Sequence, residues 1–446
     1  MSYIPHTEAD IKAMLEAIGV GGIEELFRDV PEAFRFPELA LPEGLSQMEA
    51  GWLLEEISST NLPGGKVPIF LGAGAYNHYI PPVVGHVLLR GEFLTSYTPY
   101  QPEVSQGTLQ AIFEYQSMIC ALTGMEVSNA SHYDGATSLA EAVLLAINSV
   151  RDRRKIILSC GIHPEYRQVV RTYTQGMGLT IVGDEGCEAD VQALIGQIDD
   201  QTAMVAVQYP NFFGQIEDVK LVIEAAHARG ALACVVADPI ALGLLKPPGA
   251  WGADIVVGEG QGLGIPLSFG GPYLGFFATR EKYVRKMAGR LVGETVDVHG
   301  QPGYVLTLAT REQHIRREKA TSNICTNQGL MALAAAVYMS VMGKHGLRKV
   351  AELCYHKAHY AADEINKLAD YSVDFSKPFF KEFVVQCPRS VAEINEDLLD
   401  LYEIIGGFDL EQMYPARRNQ MLVAVTEMNT RDEIDEFVRA LGEVAK

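Results

Sequence analysis

Positive charge is scarce in this chain. Across 446 residues, 36 Lys and Arg face 56 Asp and Glu, for a formal net charge of −20. A general nucleic-acid binder needs a basic face, and an anionic membrane attracts one, so neither partner is expected. A local basic cluster can still oppose the global field and take an anionic ligand. Cysteine is sparse and scattered. Cys120, Cys160, Cys187, Cys234, Cys325, Cys354 and Cys387 never fall into a CxxC spacing, so the zinc pattern is missing and no metal site is expected. Their odd number suits a reducing compartment with mostly buried thiols rather than a disulfide framework. Long apolar runs are also missing. The longest, Leu330 to Met342, is broken by Tyr338 and Ser340 and falls short of the ~20 residues a bilayer requires. Glu8, Asp10 and Glu16 stand where a secretory signal needs a basic start and where a transit peptide avoids acids. A soluble, cytoplasmic protein is expected.

The composition is otherwise ordinary, with 48% hydrophobic and 21% charged residues. A chain of this length can bury a large core without staples. Thr7 followed by Asp10 places an N-cap ahead of Ile11, Met14, Leu15 and Ile18, and 43–60 is a second amphipathic stretch. Residues 1–65 therefore read as a helical arm. From 66 to 345, short apolar runs alternate with helical segments. The candidate strands are Met125–Val127, Lys155–Leu158, Leu179–Val182, Ala203–Val207, Ala233–Val236 and Ile255–Val257. Strands apolar on both sides suit a parallel sheet covered on both faces, hence a doubly wound α/β domain, with a (β/α)8 barrel as the competing fold. Residues 346–446 change character. A helix at Leu347–Leu368 precedes strands at Phe383–Cys387 and Met421–Thr426 and a closing helix from Arg431, which describes a smaller α+β domain.

Three places bear on chemistry. Val235-Val236-Ala237-Asp238 delivers an acid at the C-terminal edge of a strand, where ligands sit in open α/β sheets. In pyridoxal-phosphate enzymes of fold type I, such an Asp keeps the pyridinium nitrogen protonated so that the ring acts as an electron sink. An Asp after a strand is also a common turn or N-cap residue. Ser131-His132-Tyr133-Asp134-Gly135-Ala136-Thr137-Ser138 opens a helix, and free N–H groups there make a seat for a phosphate, with His132 or Tyr133 placed to stack on a ring. The bland alternative is a well-capped helix. The third element should be a Schiff-base lysine on the turn after Ile255–Val257. That turn reads Gly258-Glu259-Gly260-Gln261-Gly262 and holds no amine; Lys246 and Lys282 lie outside it.

Several long strings carry a specific resemblance: Thr95-Ser96-Tyr97-Thr98-Pro99-Tyr100-Gln101-Pro102-Glu103-Val104-Ser105-Gln106-Gly107, Glu114-Tyr115-Gln116 with Leu122-Thr123-Gly124, Gly270-Gly271-Pro272, and Thr310 through Thr326. With them the chain resembles glycine decarboxylase, the P-protein of the glycine cleavage system, and specifically the first (alpha) subunit of its split form. The resemblance implies a fold type I-like architecture and an α2β2 heterotetramer with subunit 2 (beta), which carries the cofactor lysine. It implies glycine as substrate, decarboxylation on pyridoxal phosphate bound covalently by the partner, and transfer of the aminomethyl group to the lipoylated H-protein, in a system that also includes T- and L-proteins. Aligning the family's Ile-Pro on Ile265-Pro266 puts Gln261 at the degenerate lysine position. Tyr97, Tyr100, Gln101, Ser105 and Gln106 are then expected to complete the partner's site. Arg311, Arg316, Thr321 and Ser322 would hold the partner's phosphate or the glycine carboxylate, with salt-bridged surface as the alternative. His132 and Asp238 would line a vestigial site, and the Gly72–Pro82 segment is a candidate mouth for the H-protein. An independent pyridoxal-phosphate enzyme and a non-catalytic scaffold subunit remain as alternatives.

Overall fold

The computed structural model describes residues 5–62, 65–150, 152–186 and 189–445. Contacts divide the chain into two units, residues 1–62 and 63–446. In the first, helices Glu8–Ile18 and Gln47–Ser59 each begin with a capping box, Thr7 with Asp10 and Ser46 with Glu49, and neither helix buries a residue. These reciprocal bonds satisfy the first free N–H groups, which is why a Thr or Ser followed three residues later by an acid marks both starts.

The second unit holds two sheets and a hairpin. The large sheet contains β1 (Val127–Ser128), β2 (Lys155–Leu158), β3 (Thr180–Val182), β4 (Thr202–Tyr209), β5 (Leu232–Ala237), β6 (Ile255–Glu259) and β7 (Gly275–Thr279). Their order is β1-β7-β6-β5-β4-β2-β3. Strands β2 to β6 run parallel, and β5 is buried along its whole length, as its unbroken apolar run requires. The sheet is mixed rather than wholly parallel, because β7 pairs antiparallel with both β6 and β1. The connection from β6 to β7 contains no helix to carry the chain across a sheet face, so the chain turns back on itself. A hairpin follows, β8 (Leu291–Val296) and β9 (Pro302–Thr307), which the sequence reading did not anticipate.

Helix Gly329–Ile365 runs on to the small sheet and is bent at Gly343 (φ 56°, ψ −178°). It is long and apolar enough to cross a membrane by length and composition. Its face bearing Ala332, Ala335, Ala336 and Met339 is nonetheless buried in the core of this unit. It begins well before the expected Leu347 because the apolar run Leu330–Met342 is its buried first half. The small sheet contains β10 (Ser372–Val373), β11 (Glu382–Gln386), β12 (Phe408–Asp409) and β13 (Gln420–Ala424) in the order β10-β11-β13-β12, all antiparallel. Helices Val391–Tyr402 and Arg431–Val444 pack with it around a second core. Phe70 belongs to that core, its ring stacked on Phe437 at 3.9 Å, and its backbone bonds to Ile405 and Ala424. The stretch 66–345 therefore lends residues to the small domain. Among the described cysteines none forms a disulfide.

Candidate functional site

A cleft opens where β5 and β6 end. Asp238 follows β5 directly; its Oδ1 accepts from the Ile240 N–H at 2.8 Å, an Asx turn that aims the other oxygen into the cleft. That oxygen, Oδ2, lies 2.8 Å from Nζ of Lys381, a buried side chain just before β11 of the small sheet. Burial opposes the Asp238 charge, but Lys381 outweighs it and holds the carboxyl below its usual value. The ammonium also sits 3.5 Å from the centre of the Tyr76 ring and 3.2 Å from Nε2 of His78. An ammonium has only donors, so Nε2 accepts, and Nδ1 carries the proton given to Glu427 Oε2 at 2.8 Å. Burial works against the Glu427 carboxylate, yet the His78 hydrogen bond and the Tyr79 N–H hold it at about 2. Glu382, beside Lys381, accepts from the Ala73 N–H (2.7 Å) and the Tyr76 hydroxyl (2.8 Å), and burial pushes it up to about 7.

The opposite wall is the start of helix Gly135–Ser149. Asp134 caps it, accepting from the Thr137 N–H at 2.7 Å. The Gly135 N–H donates to Oε2 of Glu259 at 3.0 Å, while the other oxygen of Glu259 accepts from the Leu274 and Gln261 N–H groups. Burial pushes Glu259 up to about 8 against those three hydrogen bonds, with Asp134 adding to the rise. Gln261 is buried, and its amide spans the cleft: Oε1 accepts from the Tyr76 N–H at 2.9 Å, and Nε2 donates to the carbonyls of Tyr76 (2.9 Å) and Ile265 (2.7 Å). His163, Tyr166 and Gln208 complete the lining, and the cavity left is about 50 Å³.

Of the expected site residues, Asp238 and Gln261 meet in this cleft. His132 does not line it. The structure turns His132 into the core, fully buried and edge-on to Phe277, because its backbone bridges to Gly275 of β7. His163, stacked on Tyr166 at 4.8 Å, is the imidazole at the cleft. The Gly72–Pro82 segment closes the cleft with Gly74 and Tyr76.

The other expected residues gather elsewhere. Tyr97 is 83% exposed and lines a cavity of about 140 Å³ with Phe93, Thr98, Asn327 and Leu330. The Tyr100 hydroxyl accepts from buried Arg290 at 3.2 Å; Arg290 also donates to Asn327 Oδ1 and the Cys325 carbonyl. Arg290, not singled out in the sequence, thus ties the 97–107 segment to the 321–327 segment. Gln101 is exposed, Ser105 precedes helix Gln106–Thr123, and Gln106 is engaged at both ends of its amide by the Tyr304 backbone. Arg311 donates to the carbonyls of Met287, Gly289 and Leu308, which makes it a loop tie. Ser322 donates to Glu141 at 2.6 Å, Thr321 is half-buried, and Arg316 is exposed. Lys381, Glu259 and Glu427 escaped the sequence reading because their partners are remote in the chain.

A pyridinium-type Asp after β5, a phosphate-type helix start and a strand order of β1-β7-β6-β5-β4-β2-β3 define a pyridoxal-phosphate enzyme fold of type I. A cysteine desulfurase from Thermococcus onnurineus shares that fold with a TM-score of 0.62 at 18% identity, over 85% of this chain and 95% of the other. The family model for the glycine cleavage system P-protein matches residues 1–441. A crystal structure of glycine decarboxylase (P-protein) of the glycine cleavage system, in inhibitor-bound form, superposes with a TM-score of 0.92 at 45% identity, covering 100% of both chains. A protein of Thermomicrobium roseum named "Probable glycine dehydrogenase (decarboxylating) subunit 1" is 56% identical over 446 residues, 99% of each chain. This chain belongs to the glycine cleavage system P-protein family. The residues of this cleft do not fit the cofactor of that fold: the turn after β6 carries no lysine, Gln261 bridges the cleft, and the acid and the helix start are already engaged.

Proposed function

We propose that this chain is the alpha subunit of a two-subunit glycine dehydrogenase (aminomethyl-transferring). With a lysine-bearing beta subunit it decarboxylates glycine and passes the aminomethyl group to the lipoyl arm of the H-protein. Full-length similarity to the P-protein family supports the reaction. The observation that carries the division of labour is Gln261, buried and bonded to Tyr76 and Ile265 where a Schiff-base amine would have to stand. Pyridoxal phosphate, held by the partner, supplies an electron sink when bound. This chain's part is to bind and orient. Tyr97, Tyr100, Gln101 and Arg316 are exposed and available to the partner's site, with Tyr100 steadied by Arg290 beneath it. Ser105, Gln106, Arg311, Thr321 and Ser322 shape the loops that present them. The reaction runs in the cytoplasm, alongside the T- and L-proteins.

The test is reconstitution. The purified chain alone should catalyse no glycine-dependent exchange of labelled bicarbonate, and addition of the lysine-bearing subunit and lipoylated H-protein should establish it. Exchange by this chain alone, or a borohydride-reducible pyridoxyl group on one of its native lysines, would overturn the assignment.

A further inference from the structure

A fold type I cofactor is held at three points: an acid under the ring nitrogen, a helix N-terminus under the phosphate, and an amine at the aldehyde. Here each point has an occupant of matching character from the chain itself. The acid Asp238 pairs with the Lys381 ammonium at 2.8 Å, a cation where a pyridinium would lie. The helix start at Gly135 gives its first N–H to the Glu259 carboxyl at 3.0 Å, and its third free N–H, that of Thr137, goes to Asp134. The amine position holds Gln261, whose amide makes three bonds to Tyr76 and Ile265 and bridges the cleft. What remains is about 50 Å³, room for a few waters and not for a pyridine ring bearing a phosphate. The groove outside, about 440 Å³, adds the acids Asp134 and Glu165 to its lining, which would repel a phosphate.

We infer that the vestigial seat of this chain is filled from within, Lys381 standing in for the pyridinium and Glu259 for the phosphate, so that it excludes pyridoxal phosphate even when an amine is supplied. The plug is also a tie, since Lys381 stands just before β11 of the small sheet and Asp238 just after β5 of the large one. This inference rests on the assignment above and deepens it: absence of the lysine is not the only bar.

The test supplies the amine. Full-length Gln261→Lys, folded by circular dichroism, is incubated with pyridoxal phosphate, reduced with borohydride and mapped by peptide mass spectrometry. The expected result is no pyridoxyl group at position 261. Adding Lys381→Met to that variant removes the cationic stand-in and should allow the adduct at 261. A stoichiometric adduct at 261 in the single variant would overturn the inference, as would a folded double variant that stays bare there. Both outcomes are read at position 261 alone, whereas the subunit assignment fails only through the wild-type chain's own lysines or its own exchange activity.

Discussion

Replacing Lys381 by Met should be among the most damaging single changes in the chain, though the residue lies in no hydrophobic core. Lys381 is 2% exposed, and the side chain of Asp238 is 17% exposed. Removing one member of a buried ion pair leaves the other without compensation, a loss of about 3–5 kcal/mol. A typical domain is stable by roughly 5–15 kcal/mol, so the variant should unfold at a clearly lower denaturant concentration. Met keeps much of the aliphatic stem and loses the ammonium that Lys381 sets over the Tyr76 ring, so the loss reports the charge more than the packing. The assay is urea unfolding of the full chain, followed by far-ultraviolet circular dichroism near pH 7. The pH dependence gives a second readout. In the native chain Asp238 is held low, so its pair stabilises above the carboxyl's ordinary value and fades as pH falls through the depressed one. In Lys381→Met the same carboxyl is pushed up by burial, so the deficit should shrink on acidification. Adding Asp238→Asn should recover part of the loss, giving a coupling of at least about 1 kcal/mol in the double-mutant cycle. A single-variant loss below about 1 kcal/mol, or strictly additive effects, would refute the reasoning.

Three further outcomes are expected. His132 is driven by burial to about 4 from an ordinary 6.5, so the folded chain binds fewer protons between those values and should lose up to about 3 kcal/mol on acidification across that window; His132→Leu should flatten that part of a stability–pH curve. Glu141, pushed by burial up to about 7, has the opposite sign: stability is lost as pH rises from the ordinary carboxyl range through 7, and Glu141→Gln should remove that decline in the same measurement. Arg290→Ala frees Tyr100, the Cys325 carbonyl and the Asn327 side chain, and at about 1.5–3 kcal/mol for a charged hydrogen bond should lower the melting temperature of the chain as well as exchange by the reconstituted pair, both read on the same preparation.

The α/β alternation was legible because buried parallel strands write continuous apolar runs. Lys155–Leu158 was read with the bounds the structure shows, and the other large-sheet strands with small shifts at their ends. The antiparallel return of β7 was not legible, since nothing in Gly275–Thr279 itself encodes direction. Asp238 and Gln261 could be placed from spacing along one strand and its following turn. Lys381 could not: it stands next to Glu382 at the head of an apolar strand, where a charged pair ordinarily faces water. Its partners Asp238, Tyr76 and His78 reach it only through the packing of one sheet against the other. His132 misled for the complementary reason. A helix-start motif tells where the backbone turns but not which neighbouring side chain the sheet will claim.

The bent rod Gly329–Ile365 gives the architecture a mechanical character. Gly329, Leu330 and Leu333, near its front end, wall the cavity beside Tyr97. Further back, Lys357 grips the carbonyls of Glu427 and Asn429 in the small domain. One element, two helical lengths joined at a kink, therefore reaches both the small sheet and the cavity wall beneath Tyr97. The joint falls at Gly343, whose positive-φ backbone has no neighbour within 4 Å of where a side chain would begin.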